Sequence, residues 1–274
     1  MKSVKTILKA GSALLVAGMV FFAACKKNDS TASATEDVSY GQEQAQLEKT
    51  SDDVQTIGDQ AYESMDGKLS TYRTAATTLS SCATITKDTV NGIITVNFGT
   101  VDCRCNDLNY RRGEVIIHYT GRYLATGSVH TITFSNYFVN DNQLTGSKTV
   151  TNAGTNASGQ IYWNVSVNDS ILLANNAGII SWTATRTRTL TSSTPITYSI
   201  TGGGSLTRAN GVVVTHTITS PLIITAGCAW IEQGTVADTL SNGKTAILDY
   251  GNGVCDALAT VTYNGHTYNI TLRR

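Results

Sequence analysis

Two periodicities divide the chain into a short helical part and a long strand-rich part. Between Val54 and Leu69, apolar residues recur at three- and four-residue steps, which places them on one face of a helix. These residues are Val54, Ile57, Ala61, Met65 and Leu69. From about Cys82 onwards, apolar and polar residues alternate with the two-residue period of a half-buried strand. The pattern therefore predicts one helix followed by a large β region.

The predicted helix has a recognisable start. Thr50 followed by Asp53 resembles a capping box in which Asp takes the place of Glu. Gly67 weakens the helix at its other end, because glycine is a poor helix former. We expect the segment 38–80 to be helical and to pack on the β region, and a helix that binds a partner is the alternative.

Three segments show the strand alternation most clearly. Their apolar faces consist of Ile161, Trp163, Val165 and Val167 in the first, Trp182, Ala184, Arg186 and Arg188 in the second, and Val212, Val214, His216 and Ile218 in the third. The positions between them are mostly Thr, Ser and Asn. Such segments are typical of strands with one buried and one solvated face, although Arg186 and Arg188 interrupt the apolar face of the second.

Asn-Gly pairs mark the turns between these strands. They occur at Asn91-Gly92, Asn210-Gly211, Asn242-Gly243 and Asn264-Gly265. Asn-Gly supplies the two positive φ angles of a type I′ turn and is a strong hairpin signal. We therefore predict a mainly β fold, an antiparallel hairpin meander preceded by one N-terminal helix. The pattern does not separate a large curved sheet, a sandwich and a barrel.

The cysteines form a duplicated arrangement. Cys82 to Cys103 and Cys228 to Cys255 each run as Cys, strand, Asn-Gly hairpin, strand, aromatic-Gly, and a Cys four residues after that Gly. A hairpin returns the chain toward its start, so each pair of cysteines is expected to meet in a disulfide. Cys105 remains a rival to Cys103 for pairing with Cys82. The Cys103-Arg104-Cys105 sequence lacks the spacing of a redox or zinc motif.

No motif predicts a catalytic or metal site. The four histidines stand alone in strand-like runs, at His118, His130, His216 and His266. No zinc-protease spacing and no nucleophile elbow is present. Gly202-Gly203-Gly204 lacks the strand-to-helix context of a phosphate loop, and we expect a loop or bulge there. We therefore predict no cofactor, no metal ligand and no catalytic residue, and we leave the ligand-binding residues open.

Composition narrows the classes of partner. Charged residues make up 15% of the chain and the formal net charge is zero, so nucleic acid is not an expected partner. The low charge and the two prolines suit an exported all-β protein. Three tryptophans and twelve tyrosines leave a sugar-stacking platform as an alternative. Aromatic residues on half-buried strands, however, mostly belong to the core.

The first residues have the features of an export signal. Three lysines within the first nine residues precede an apolar run from Ala10 to Ala24 that is too short for a spanning helix. The run ends in Phe22-Ala23-Ala24-Cys25, which resembles the bacterial lipobox, where small residues precede a lipidated cysteine. That resemblance implies a signal peptide over residues 1–24, acylation of Cys25 with palmitate-like chains, and anchoring at the outer membrane.

The residues after Cys25 extend this resemblance. Cys25 followed by Lys26-Lys27-Asn28-Asp29 is similar to the start of lipoproteins of the Bacteroidota. The segment 25–37 has the composition of a flexible tether, and residues 81–274 would form the β domain. We expect a membrane-anchored envelope lipoprotein that acts as a non-enzymatic binding or structural component, on the periplasmic face or the cell surface. Its candidate partners are a glycan or an envelope protein. A surface glycan-binding lipoprotein and an enzyme with a site assembled only in the fold are the alternatives.

Overall fold

The structure is a computed structural model that describes the backbone of residues 29–66, 79 and 81–272. Its side chains are described for residues 38–62, 79 and 81–272. The predicted signal peptide, Cys25 and Leu69 lie outside the described residues, and so does the side chain of Met65.

One long helix precedes fourteen strands. Helix α1 spans Asp29–Asp66, and a short 3-10 turn lies at Ala174–Asn176. The strands are β1 (Thr84–Asp88), β2 (Ile93–Asn97), β3 (Cys103–Arg104), β4 (Tyr110–Tyr119), β5 (Val129–Val139), β6 (Asn142–Thr155), β7 (Ile161–Leu172), β8 (Ile179–Ser193), β9 (Ile196–Thr207), β10 (Val213–Thr225), β11 (Gln233–Leu240), β12 (Thr245–Asn252), β13 (Leu258–Tyr263) and β14 (His266–Thr271).

All fourteen strands belong to one antiparallel sheet. Neighbouring strands follow chain order from β1 to β14, except that β2 pairs with β4 and the short β3 pairs only with β4. The strands β1 and β14 stand at the two ends of this order, so the sheet is not closed. The predicted antiparallel meander behind one helix is therefore confirmed, and the arrangement is a single open sheet.

The sheet curls around α1. The helix contacts β2 near one edge and β12, β13 and β14 at the other, and it also bonds to side chains of β6 and β8 in the middle. A flat sheet of this many strands would be roughly 60 Å wide, whereas a helix is about 10 Å across. Strands from both edges can reach one helix only if the sheet bends around it. The core accordingly lies between the helix and the inner face of the sheet.

The strand alternation has the predicted polarity. In β7, Trp163, Val165 and Val167 point inward and are buried, while the residues between them are exposed. In β8 the inward positions are buried and the outward positions carry threonines such as Thr183 and Thr185. One face of the sheet therefore builds the core and the other is a Thr-rich solvated surface.

Helix α1 begins much earlier than the capping pattern predicts. Thr50 lies inside the helix, where its hydroxyl donates to the carbonyl oxygen of Gln46 at 2.8 Å. The preceding segment 42–49 is rich in Gln, Glu, Ala, Leu and Lys, which are good helix formers and carry the helix through this position. Residues 29–37, whose composition is that of a tether, also belong to the helix. The predicted inner face is buried as expected at Val54, Ile57 and Ala61.

The Asn-Gly turns form, but mostly not as type I′ turns. Only Asn264-Gly265 has positive φ at both residues, 51° and 78°. At the other three pairs the glycine alone has positive φ, at Gly92, Gly211 and Gly243. Two further turns have consecutive positive φ angles without a glycine at those positions, at Asn140-Asp141 between β5 and β6 and at Asn175-Asn176 between β7 and β8. Asn and Asp tolerate this conformation better than other non-glycine residues.

Candidate functional site

Charged as well as apolar side chains connect the helix to the inner face of the sheet. We call these charged side chains the ionic layer. From α1 it includes Glu43, Glu48, Asp53 and Asp59, and from the sheet it includes Arg111 on β4, Lys148 on β6, Arg186 and Arg188 on β8, and Arg208 after β9. The helix thus contributes the acids and the sheet contributes the bases.

The two arginines that interrupt the apolar face of β8 form the centre of the ionic layer. Arg186 Nη2 donates to Glu48 Oε1, and both side chains are buried. Arg188 Nη1 donates to Asp59 Oδ2 at 2.9 Å, with 4% and 2% of the two side chains exposed. The Arg188 guanidinium also lies 3.6 Å from the centre of the Tyr198 ring. Buried charges need such partners, which explains arginines at inward-facing positions.

Further pairs flank the centre. Arg208 makes two bonds to the Glu43 carboxylate, Nε to Oε2 at 2.6 Å and Nη2 to Oε1 at 2.8 Å. Its guanidinium lies 4.1 Å from the centre of the Tyr40 ring. Arg111 likewise donates two hydrogen bonds to the Asp107 carboxylate, at 2.7 and 2.6 Å. It also lies 3.8 Å from a carboxylate oxygen of Asp53. Bidentate hydrogen bonding of this kind fixes the distance between the guanidinium and the carboxylate and also their relative orientation.

Lys148, like Arg208 at Ser39, touches a serine hydroxyl. Its Nζ donates to the carbonyl oxygen of Ser51 at 2.8 Å and to Ser51 Oγ at 3.0 Å. Burial lowers the pKa of Lys148 to about 8. A serine beside such a lysine is a combination that some hydrolases use. The two cavities that Ser51 lines, however, measure about 30 and 10 Å³, room for one or two waters and not for a substrate.

A second buried polar cluster lies beside Arg186. Trp182 Nε1 donates to His216 Nε2 at 3.1 Å, which assigns the proton of the neutral imidazole to Nδ1. His216 on β10 is the cross-strand partner of Asp238 on β11. Burial lowers the pKa of His216 to about 3, with a further contribution from Arg186. Burial, together with the nearby Glu48 carboxylate, raises the pKa of Asp238 well above its usual range.

The glycine run of β9 makes room for this cluster. Gly202-Gly203-Gly204 do not form a loop, because all three lie within strand β9. The expected bulge is found beside them, where the pairing of β9 with β10 shifts register between Gly203 and Ile200. A Cβ atom on Gly204 would lie 2.7 Å from Nε2 of His216 and 2.1 Å from the Thr183 carbonyl oxygen. Any side chain at position 204 would therefore displace the imidazole or separate the strands.

Asp238 provides a test of the buried cluster. The unfolded chain releases its proton near pH 3.8, whereas the folded chain retains it to higher pH, so its contribution to stability decreases as the pH rises. Asp238→Asn removes this dependence, and we expect the variant to be more stable than the wild type at pH 7, with a difference that grows above pH 3.8. Urea unfolding at pH 4, 5, 6, 7 and 8 measures the difference.

Asp169→Asn is the matched control for this experiment. Burial raises the pKa of Asp169 to about 6, so the stability difference for this variant should stop growing near that pH. A difference for Asp238→Asn that does not change with pH would show that the carboxyl is ionised in the folded protein.

The structure pairs the cysteines as the hairpin arrangement predicts. Cys228 and Cys255 form a disulfide with a Cα separation of 5.7 Å, and Cys82 and Cys103 form one with a Cα separation of 6.0 Å. Cys105, the predicted rival, is a free buried thiol that donates to the carbonyl oxygen of Cys103 at 3.6 Å. The duplicated module thus places one disulfide near each edge of the sheet.

Metal-ligand groups do not assemble from the histidines. Among the residues that the structure describes, the one candidate group of at least three ligand atoms is Cys228, Glu232 and Cys255, and its disulfide already uses both sulfurs. His130 packs among tyrosine rings, with ring centres 4.9 Å from Tyr62 and 5.0 Å from Tyr123. The buried histidines therefore serve packing and hydrogen bonding.

An open groove lies on the last three strands of the chain. It measures about 640 Å³ and is lined by residues of β12, β13, β14 and the turn that carries Cys255. Two exposed apolar side chains, Val254 and Leu258, stand at it. Its carboxylates are used by local turns, because Asp249 accepts from the Gly251 amide and Asp256 from the Leu258 amide, both at 2.8 Å.

The aromatic residues do not form an exposed platform. Trp163 and Trp182 are buried in the core, and Trp230 is half-buried. Within residues 38–62 and 81–272, Tyr110 is the exposed tyrosine. The row of outward-facing rings that motivates a glycan platform is therefore not found in the described part of the chain.

Comparison with protein-family models, curated proteins and solved structures finds no match. In the region that the structure describes, no helix combines the length and apolar character needed to cross a membrane. Sequence reasoning did not identify the ionic layer, although Arg186, Arg188 and His216 on otherwise apolar faces were the signal for it.

Proposed function

We propose that this protein is a membrane-anchored envelope lipoprotein that acts as a non-enzymatic binding or structural component. One observation supports the non-enzymatic part. The arginines of the ionic layer are paired with carboxylates, and the cavities beside Ser51 hold about 30 and 10 Å³. Small-molecule sites usually measure roughly 300–1,000 Å³. The ionic layer therefore fits a structural role that holds the helix in the sheet.

The groove at Val254 and Leu258 is the surface on which this proposal places a ligand. It has the volume of a ligand site and is open to solvent, whereas the cavities of the ionic layer are small. The glycan-binding alternative receives less support, since Trp163 and Trp182 lie in the core. Titration of the mature protein with envelope glycans distinguishes the proposed function from the glycan-binding alternative. Saturable binding would favour the glycan-binding alternative.

The anchor is tested at Cys25. We expect Cys25→Ser to abolish labelling by a palmitate analogue and to move the protein from the membrane fraction to the soluble fraction, because acylation provides the membrane affinity. Metabolic labelling followed by fractionation measures both effects. Cys105→Ala is the matched control, since it removes the buried free thiol and should leave the label unchanged. Equal labelling of Cys25→Ser and the wild type would refute the anchor.

A further inference from the structure

The two ends of the curled sheet differ in their relation to helix α1. At one end the N-terminal half of the helix packs against the sheet, with the rings of Tyr40 and Tyr263 at 6.0 Å and the Glu43–Arg208 pair beside them. At the other end Tyr62 donates to the carbonyl oxygen of Gly121 at 3.3 Å. We call the first end the entry rim, formed by residues 101–110, 140–142, 172–179 and 208–213.

The entry rim is continuous. Asn140 Nδ2 donates to Asn109 Oδ1 at 2.9 Å, and the Ala174 amide donates to Asn142 Oδ1 at 3.0 Å. Gly178 lies so close to Ala209 that a Cβ on the glycine would come within 2.6 Å of the alanine Cβ. These contacts connect the turns of successive hairpins into one surface.

Large apolar side chains are exposed along this rim. They are Val101, Leu108, Tyr110, Leu172, Ile179 and Val213. Leu172 and Ile179 are direct cross-strand partners, and Ile179 is 55% exposed. Nearby, the one guanidinium of Arg112 bonds to two carboxylates, those of Asp102 at 2.8 Å and of Asp141 at 2.7 Å. An exposed apolar surface of this kind is suited to contact with another apolar phase.

The proposed anchor lies nearer this rim than the opposite end. Helix α1 rises about 16 Å between Asp29 and Tyr40, and the chain from Cys25 to Asp29 adds at most about 14 Å. The helix continues from Tyr40 to Tyr62 for about another 33 Å before it reaches the opposite end. Two of the exposed apolar residues of that end, Val254 and Leu258, stand in the groove beside Asp249 and Asp256.

We propose that the entry rim rests on the lipid surface to which the chain is anchored, with Leu172, Ile179 and Val213 placed among the headgroups. This inference rests on the proposed membrane anchor and adds an orientation to it. The groove at Val254 and Leu258 then points away from the membrane, where a ligand can reach it. Apolar side chains at an interface add to the affinity that the acyl chains provide.

Tryptophan quenching in vesicles tests the orientation. The mature chain, with a histidine tag in place of Cys25, is bound to phosphatidylcholine vesicles that contain nickel-chelating lipid, with or without brominated acyl chains. Ile179→Trp should lose about half of its added emission in brominated vesicles, because bromine quenches only rings that enter the bilayer. Val254→Trp, at the opposite end, is the matched control and should not be quenched. Wild-type emission is subtracted in each case.

Because the histidine tag replaces Cys25, the result of this test does not depend on whether Cys25 is acylated. Quenching at position 179 that disappears when Leu172→Asp is added would support the rim. Equal quenching at positions 179 and 254, or none at 179, would overturn the orientation, whatever palmitate labelling shows at Cys25. Near-ultraviolet circular dichroism of each variant confirms that the fold is retained, so a loss of quenching is not a loss of structure.

Discussion

Replacing Arg188 with Met is expected to lower the free energy of unfolding by about 3–5 kcal/mol. The substitution leaves the Asp59 carboxylate in the core without its cation, since the two side chains are 2% and 4% exposed and bond at 2.9 Å. It also removes the guanidinium from the face of the Tyr198 ring. Urea unfolding followed by circular dichroism at pH 7 measures the loss.

Two controls separate the buried pair from arginine content in general. Arg112→Met breaks exposed pairs with Asp102 and Asp141 and should cost about 0–1 kcal/mol. The double variant Asp59→Leu, Arg188→Met removes both buried charges, and we expect it to recover much of the loss. A single Arg188→Met variant as stable as Arg112→Met would mean that Asp59 has no need of its cation.

The sequence predicted the local features of the fold well. Alternation at Trp163, Val165 and Val167 indicated the inner face correctly, because side-chain direction in a strand depends only on position. The cysteine pairs also followed from local hairpins, since a hairpin brings residues of known spacing together. These features are determined by residues close to one another in the chain.

The features that the sequence did not predict depend on contacts between distant residues. Glu48 and Arg186 are separated by 138 positions, and neither has a local pattern that names its partner. The early start of α1 also escaped prediction, because Thr50 and Asp53 resemble a cap yet lie within a helix. The curling of the sheet depends on the helix that it encloses, and no single segment contains that information.

The ion pairs of the ionic layer determine which residues of the helix face which strands, and apolar packing alone does not. Hydrophobic burial is non-directional, so Val54 and Ile57 could be buried at several positions along the inner face. The Arg208–Glu43 and Arg188–Asp59 pairs act at two points along the helix and match it to fixed strands. This arrangement explains why the fold retains buried charges at positions where apolar residues would suffice for the core.

Replacing Cys255 with Ala is expected to lower the free energy of unfolding by about 3–4 kcal/mol. The disulfide closes a loop with a sequence separation of 27, and removing it restores that loop's entropy to the unfolded chain. The half-buried Cys228 should then react with a thiol reagent in the folded protein, in a background that carries Cys25→Ser. Non-reducing peptide mapping of the parent should show the Cys228–Cys255 link.

Cys105→Ala is the matched control for loss of the Cys228–Cys255 disulfide, because it removes a cysteine that forms no disulfide. Its expected cost is about 1 kcal/mol, the typical effect of a single substitution, and it should expose no reactive thiol. The loss in Cys255→Ala should also disappear when both proteins are compared under reducing conditions, since the parent then lacks the bridge. A loss that persists equally in reductant would mean that Cys255 contributes through packing in the turn, and the duplicated module would be a shared hairpin without a covalent role.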